Sequence, residues 1–440
     1  MTAPARQRRR GPAIEGAAAR SAAQHIVTEV CERHQPLAGV LEEAAHGPLA
    51  RLSDRDQALA RAIGRVTVRR RGDIDWCLAQ MLAKPLPKRA AEVRAVLRVS
   101  AAQILFMRQA DHAAVNVAVA LLKGEGATGG FAGLANAVLR RLIRERDALL
   151  AALPVEANTP GWLWHRWVAH YGAETAAAIA AAHRAEPGLD IAFADPVALL
   201  PEGGVALPTG GARLKAGAVT AIEGYAEGGW WVQDAAAQLP VTLFGNVAGA
   251  TALDMCAAPG GKTMQLAARG ARVTALELDA DRAARIGENL ARTHLAEHVR
   301  VTVGDALAAE GTYDAVLLDA PCSATGTMRR QPDVAWSKSA ADIKALADVQ
   351  RDLLRRAARC VAPGGTLVFA TCSMEPEEGE AHLPFVAEAL PELSLDPVTE
   401  GPAASFATPE GAMRTLPSMT IPGTDLAGLD GFFAARFRRR

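Results

Sequence analysis

The sequence predicts two unlike domains, an all-α front and a Rossmann-like parallel α/β back, joined by a small α+β connector. Three observations carry this reading. Apolar residues recur at helical spacing from about Ala18 to Leu150, with no β-rich segment among them. From about Ala250 short apolar, β-branched runs alternate with helical ones, the pattern of a parallel sheet covered by helices. Charge divides the chain as well. The 440 residues carry 48 Lys+Arg and 48 Asp+Glu, but residues 1–150 hold ten more basic than acidic side chains and residues 151–440 ten fewer. The front half is therefore suited to an anionic partner.

The elements follow in order. Residues 1–17 form a basic arm, with an Arg cluster at Arg8–Arg10 and Pro and Gly that interrupt any helix. The all-α domain spans 18–152. Ile26, Val27, Val30 and Cys31 share one helical face. Ser53 and Asp54 can cap a helix that runs through Leu59, Ile63 and Val66 and ends in the basic run Arg69–Arg71. Amphipathic segments continue at Val93–Met107, Ala113–Leu122 and Leu134–Leu149, the last two parted by the Gly-rich break Gly124–Gly130. Leu153–Pro160 reads as a linker.

The connector spans 161–245. It opens with an Ala-rich helical stretch bearing Trp162, Trp164 and Trp167, whose expected role is core packing. It continues in short apolar runs such as Leu189–Phe193 and Ala218–Glu223. The α/β domain spans 246–440. Its strand candidates are Ala250–Met255, Val273–Glu277, Val299–Val303, Tyr313–Leu318 and Thr366–Thr371, with helices Gly261–Arg269 and Ala280–His294 between them. Ligands of such a sheet bind at the carboxyl ends of its strands.

Composition excludes several classes. Half of the residues are hydrophobic, so the chain is not a disordered one. No apolar run approaches the ~18 residues of a membrane span. Six cysteines without a CxxC pair make neither a disulfide scaffold nor a structural zinc site, which fits a reducing, cytoplasmic, metal-free protein.

The chemistry sits at the strand ends. Leu253-Asp254-Met255-Cys256-Ala257-Ala258-Pro259-Gly260-Gly261-Lys262-Thr263 links a strand to a helix, where glycines let backbone approach a ligand closely. It is not a phosphate-binding P-loop, because Cys256 stands where the first Gly is required and Pro259 lacks an N–H. No nicotinamide fingerprint is present. Asp254, Glu277, Asp305 and Asp319 then close four successive strands. A cleft lined with carboxylates repels pyrophosphate and favours a cationic or neutral nucleoside ligand. Cys322, in Asp319-Ala320-Pro321-Cys322-Ser323, and Cys372, in Thr371-Cys372-Ser373, lie at the same edge. A cysteine in a polar loop there is a candidate nucleophile, whereas Cys31, Cys77 and Cys360 read as buried packing.

These motifs, with Val232-Gln233-Asp234 before them and Asp430-Gly431-Phe432-Phe433 after them, resemble the RNA 5-methylcytosine methyltransferases of the Sun/Nop2 (NSUN) family. The helical front is similar to the NusB domain. That pairing is the architecture of bacterial members that methylate a cytosine of small-subunit ribosomal RNA. The resemblance implies a class I methyltransferase domain and S-adenosylmethionine as cofactor. Cys256, Ala257, Ala258, Pro259, Gly260, Gly261 and Lys262 would wrap its methionine end, Glu277 would bind its ribose, and Asp305 would lie by its adenine. The family usually has Asp where Glu277 stands, a longer arm for the same contact.

By the same resemblance Cys372 is the nucleophile, Cys322 assists release, and Asp319 borders the methyl-transfer site and meets ring nitrogen 3 of the base. The target base must leave its stack. A DNA cytosine methyltransferase would instead use the Pro-Cys cysteine. The motifs also leave room for methylation of tRNA or another RNA, and for an inactive NusB-like RNA-binding protein. Arg65, Arg69, Arg70, Arg71, Arg140, Arg141 and Arg144 are the expected phosphate contacts on ribosomal RNA. A monomer without metal or membrane partner is expected.

Overall fold

The computed structural model describes residues 16–107, 110–124, 127–195, 200–215, 217 and 219–440; the basic arm lies outside them up to residue 15. The chain divides into two compact units, the residues up to His165 with Gln331–Ser337, and Arg166–Arg330 with Lys338–Arg440. No helix of the described residues is long and apolar enough to cross a membrane.

The first unit contains α1 (Ala17–Arg33), α2 (Leu37–His46), α3 (Asp54–Arg69), α4 (Arg71–Met81), α5 (Ala91–Phe106), α6 (Asp111–Gly124) and α7 (Ala132–Ala151). Ser53 caps α3 as its sequence position implies, its hydroxyl accepting from the Asp56 N–H at 3.2 Å. Helix α5 is buried on nearly every face from Val93 to Leu105, the polar Ser100 and Gln103 included. Ala95 and Val99 pack with Ile26, Val27 and Ile63, while Leu97 and Ile104 pack with Ile74, Leu139 and Leu142. The charge that α5 takes inside is paired: buried Arg98 is held by Asp75 at 2.7 Å and Glu32 at 2.5 Å.

The second unit begins within α8 (Gly161–Tyr171), followed by α9 (Ala173–Arg184). Strands β1 (Leu189–Phe193), β2 (Val205–Ala206), β3 (Ala212–Leu214) and β4 (Trp230–Val232) form an antiparallel sheet in the order β2-β3-β1-β4. Of the apolar run expected at Ala218–Glu223, Ala218 lies outside the described residues. Val219–Ala221 forms a 3-10 turn, and Trp230–Val232 takes the edge beside β1. Buried Asp190 joins the sheet to α10 (Ala235–Thr242): it pairs with Arg213 at 2.5 Å and accepts the Ala235 N–H at 2.9 Å.

Then come β5 (Thr251–Asp254), α11 (Gly261–Ala268), β6 (Arg272–Glu277), α12 (Ala280–Arg292), β7 (Val299–Val303) and β8 (Tyr313–Asp319). The short α13 (Val334–Ser337) groups with the helical unit, where Asp333 accepts the Leu37 N–H at 3.2 Å. The chain continues through α14 (Ala340–Cys360), β9 (Val361–Thr371), α15 (His382–Ala389), β10 (Leu393–Leu395), β11 (Met413–Thr415) and β12 (Phe432–Arg439). The large sheet has the order β10-β12-β9-β8-β5-β6-β7, with β11 also on β12. Strands β5 to β9 are parallel, while β12 is antiparallel to β9.

From β5 the chain winds outward to β6 and β7, then returns to lay β8 on the other side of β5. That reversal opens a crevice at the carboxyl ends of β5 and β8, where doubly wound sheets bind ligands.

Candidate active site

The loop Met255–Gly260 leaves β5 and enters α11 at this crevice. Gly260 has φ +101°, a conformation open to glycine, and a β-carbon there would lie 3.2 Å from Ile286. Asp254, at the end of β5, is buried. One of its oxygens accepts the Thr263 hydroxyl at 2.7 Å and the other has no partner among the described residues. Burial pushes its pKa up to about 7. Cys256 is partly buried, and burial raises its thiol to about 12.

Two of the other strand-end carboxylates, Glu277 and Asp319, lie close enough to act on the charge of Asp254. Glu277, buried at the end of β6, accepts the backbone N–H groups of Ala258 at 3.1 Å and Asp279 at 3.2 Å, with Arg282 at 3.3 Å. It therefore shapes the Ala258 turn directly, a role its strand-end position did not reveal. Asp305 is exposed and caps the next turn through the Leu307 N–H at 2.9 Å. Around these acids Leu278, Val303 and Leu307 are 70%, 55% and 45% exposed. Asp319 ends β8 and receives Lys262 Nζ at 2.6 Å. The ammonium also lies over the Phe432 ring, 4.9 Å from its centroid.

These features fit S-adenosylmethionine. Uncovered apolar side chains can take an adenine face, and the close glycine turn admits the methionine end. An acid-rich crevice with an unpartnered Asp254 oxygen suits a cation.

The two cysteines meet. Cys322 follows the end of β8 and Cys372 follows the end of β9, the neighbouring strand, and their sulfurs are 3.4 Å apart. The hydrogen bond between them, reinforced by burial, raises the Cys322 pKa well above the ordinary thiol value. The two loops are also stitched by backbone, the Gly326 N–H donating to Cys372 O at 3.0 Å and the Gly431 N–H to Gly326 O at 2.8 Å. A β-carbon on Gly326 would strike Gly431 O at 1.8 Å, which explains glycine at that position. Cys31, Cys77 and Cys360 are buried in the cores, away from this chemistry.

Several partners were not legible in the sequence. Buried Arg329, with Arg330, joins Asp234 and Asp430, so the motifs that flank the domain in sequence converge under the Cys322 loop. Glu378 accepts from both cysteine loops through Ser323 and Ser373. Among the described residues no group of three or more His, Cys, Asp or Glu is placed to hold a metal ion.

The basic residues divide. Arg65 on α3 and Arg140, Arg141 and Arg144 on α7 are exposed. Arg69 is half-buried at the end of α3. Arg70 pairs with buried Asp73 at 2.6 Å and lies over Phe106, and Arg71 lies over Trp336. Arg70 and Arg71 thus take part in the packing of the helical unit. Trp167 is fully buried and donates to Glu375 at 3.0 Å, which supports core packing over base stacking; Trp162 and Trp164 are half-buried.

Comparison with known proteins agrees with this architecture. Residues 241–438 match the family model described as 16S rRNA methyltransferase RsmB/F, and residues 17–144 match the NusB family. A ribosomal RNA small subunit methyltransferase B from Cronobacter sakazakii is 33% identical, covering 96% of this chain and 98% of its own length. One from Xanthomonas campestris pv. campestris is 35% identical, covering 96% and 97%. The crystal structure of PH0851 shares the fold with a TM-score of 0.75 at 23% identity, covering 98% of this chain and all of its own.

Proposed function

The chain belongs to the RsmB/F family of 16S rRNA methyltransferases, and from that membership we propose that it methylates carbon 5 of a cytosine in small-subunit ribosomal RNA through a covalent Cys372 adduct. The observation that carries this reading is the pair of thiols 3.4 Å apart at the ends of β8 and β9, beside Asp319. Carbon 5 of cytosine is a poor nucleophile, and a thiolate overcomes this by adding to carbon 6.

In this reading Cys372 forms the sulfur–carbon 6 bond, which shifts the ring electrons toward carbon 5. Asp319, oriented by Lys262, meets ring nitrogen 3 and stabilises the adduct. The Cys256–Lys262 loop, Glu277 and Asp305 would hold S-adenosylmethionine, whose chemistry there would be the supply of an electrophilic methyl group for carbon 5. A base then removes the carbon 5 proton, its electrons rebuild the carbon 5–carbon 6 double bond, and the Cys372 sulfur departs. Cys322, hydrogen-bonded to Cys372, assists that departure. The exposed Arg65, Arg140, Arg141 and Arg144 and half-buried Arg69 contribute phosphate contacts.

The test is transfer of a labelled methyl group from S-adenosylmethionine to unmodified small-subunit rRNA, followed by nucleoside analysis. Label in 5-methylcytidine is expected. Label only in transfer RNA would favour another RNA substrate, and no label at all would favour an RNA-binding protein without activity.

A further inference from the structure

Glu378 ends the 3-10 turn Pro376–Glu378 and is completely buried. No Lys or Arg pairs with it among the described residues; hydrogen bonds alone compensate its burial. One oxygen accepts the Ser323 N–H at 2.8 Å and the Gln350 amide at 3.2 Å. The other accepts the hydroxyls of Ser323 and, at 2.6 Å, Ser373. Ser323 directly follows Cys322, and Ser373 directly follows Cys372. The two hydroxyls are 3.1 Å apart.

A third arm reaches the residue before Cys322: the Gln350 amide also donates to Pro321 O at 2.9 Å. Gln350 is itself oriented by His382, 2.8 Å from its carbonyl. Burial lowers the His382 pKa to about 4, so the ring is neutral. Around the same turn, the Thr371 hydroxyl donates to Glu378 O at 2.9 Å. Every donor on the Glu378 carboxylate thus belongs to a cysteine loop or braces one.

We propose that Glu378 is the positioning residue of the reacting thiols, its single carboxylate tying the Cys322 loop to the Cys372 loop and setting the separation of their sulfurs. It touches no reacting atom and acts through Ser323 and Ser373. The proposal rests on the reading of Cys372 and Cys322 as the reacting pair. An amide in its place offers one acceptor oxygen and turns an NH2 toward groups that need an acceptor.

The test measures methyl transfer to unmodified small-subunit rRNA, with the rate expressed per S-adenosylmethionine site titrated by calorimetry. Glu378→Gln is expected to lower kcat about 100-fold, the cost of a displacement of about 1 Å at reacting groups. KM for RNA and Kd for S-adenosylmethionine should stay within about threefold. The double variant Ser323→Ala/Ser373→Ala should lower kcat about tenfold, and adding Glu378→Gln to it should cost less than Glu378→Gln does alone. An unchanged kcat per site, a loss carried by KM or Kd, or fully multiplicative effects would overturn the proposal. Should Glu378→Gln fail to fold, the serine double variant decides alone, and an unchanged kcat overturns. Cys372→Ala in the same assay separates the two claims. If it still methylates, the thiol reading fails; if it is dead while Glu378→Gln is active, only the positioning role fails.

Discussion

Asp254 illustrates how a residue's environment, rather than its type, sets its behaviour. Its carboxyl is raised to about 7 by burial, above the ordinary aspartate value that the unfolded chain retains. The folded form therefore binds the proton more tightly, and stability is lost as pH rises from about 4 to 7. Asp254→Asn should flatten that dependence, which amounts to at most about 1.4 kcal/mol per pH unit. Urea unfolding of the two proteins at pH 5 and pH 7 checks it, and an unchanged slope would contradict the assignment. At this scale the sequence was informative where chemistry follows from residue type and strand-end position. Cys322, Cys372 and the four acids could be picked out in that way. Glu378 could not, because nothing in Pro376-Glu377-Glu378-Gly379 reveals which of two adjacent glutamates is buried. Arg70 and Arg71 show the converse: a run of arginines looks solvated until Asp73, Phe106 and Trp336 are placed around it.

Among the elements, the β5–α11 turn ties local conformation most directly to ligand binding. Gly260→Ala places a side chain at φ +101° and against Ile286, a strain of about 1–3 kcal/mol. It should weaken S-adenosylmethionine binding by tenfold or more in a calorimetric titration, and unaltered affinity would show that the turn does not meet the cofactor. Helix α7 carries a different test. Changing Arg140, Arg141 and Arg144 to Ala should reduce the slope of log affinity for rRNA against log salt by about 2. Arg71→Ala should leave that slope alone and lower the stability of the helical unit by about 2 kcal/mol, since its guanidinium is packed over Trp336. An Arg71→Ala protein with normal stability and a reduced slope would restore Arg71 to the RNA face. Parallel strands were legible to within a residue or two at most of their ends, because buried parallel strands are short apolar runs between turns. β9 starts earlier than expected, at Val361, through a Pro-Gly-Gly stretch that argues against a strand. The antiparallel β10, β11 and β12 follow no helix-and-strand alternation, so the pattern that revealed the rest was silent on them.

Across the whole molecule, the neutral net charge conceals two halves of opposite sign, and each sign has a chemical counterpart. The helical unit exposes arginines such as Arg65, Arg140, Arg141 and Arg144, and the α/β unit brings Asp254, Glu277 and Asp319 together at its strand ends. Each unit has its own apolar core. The division of labour between Cys372 and Cys322 is the claim on which the catalytic account turns. Its most direct measurement is denaturing electrophoresis of Cys322→Ala and Cys372→Ala proteins after incubation with unmodified small-subunit rRNA and S-adenosylmethionine. Cys322→Ala should accumulate a covalent RNA–protein complex, while Cys372→Ala should form none and transfer no methyl group. A complex trapped by Cys372→Ala and absent from Cys322→Ala would make Cys322 the nucleophile and contradict the account.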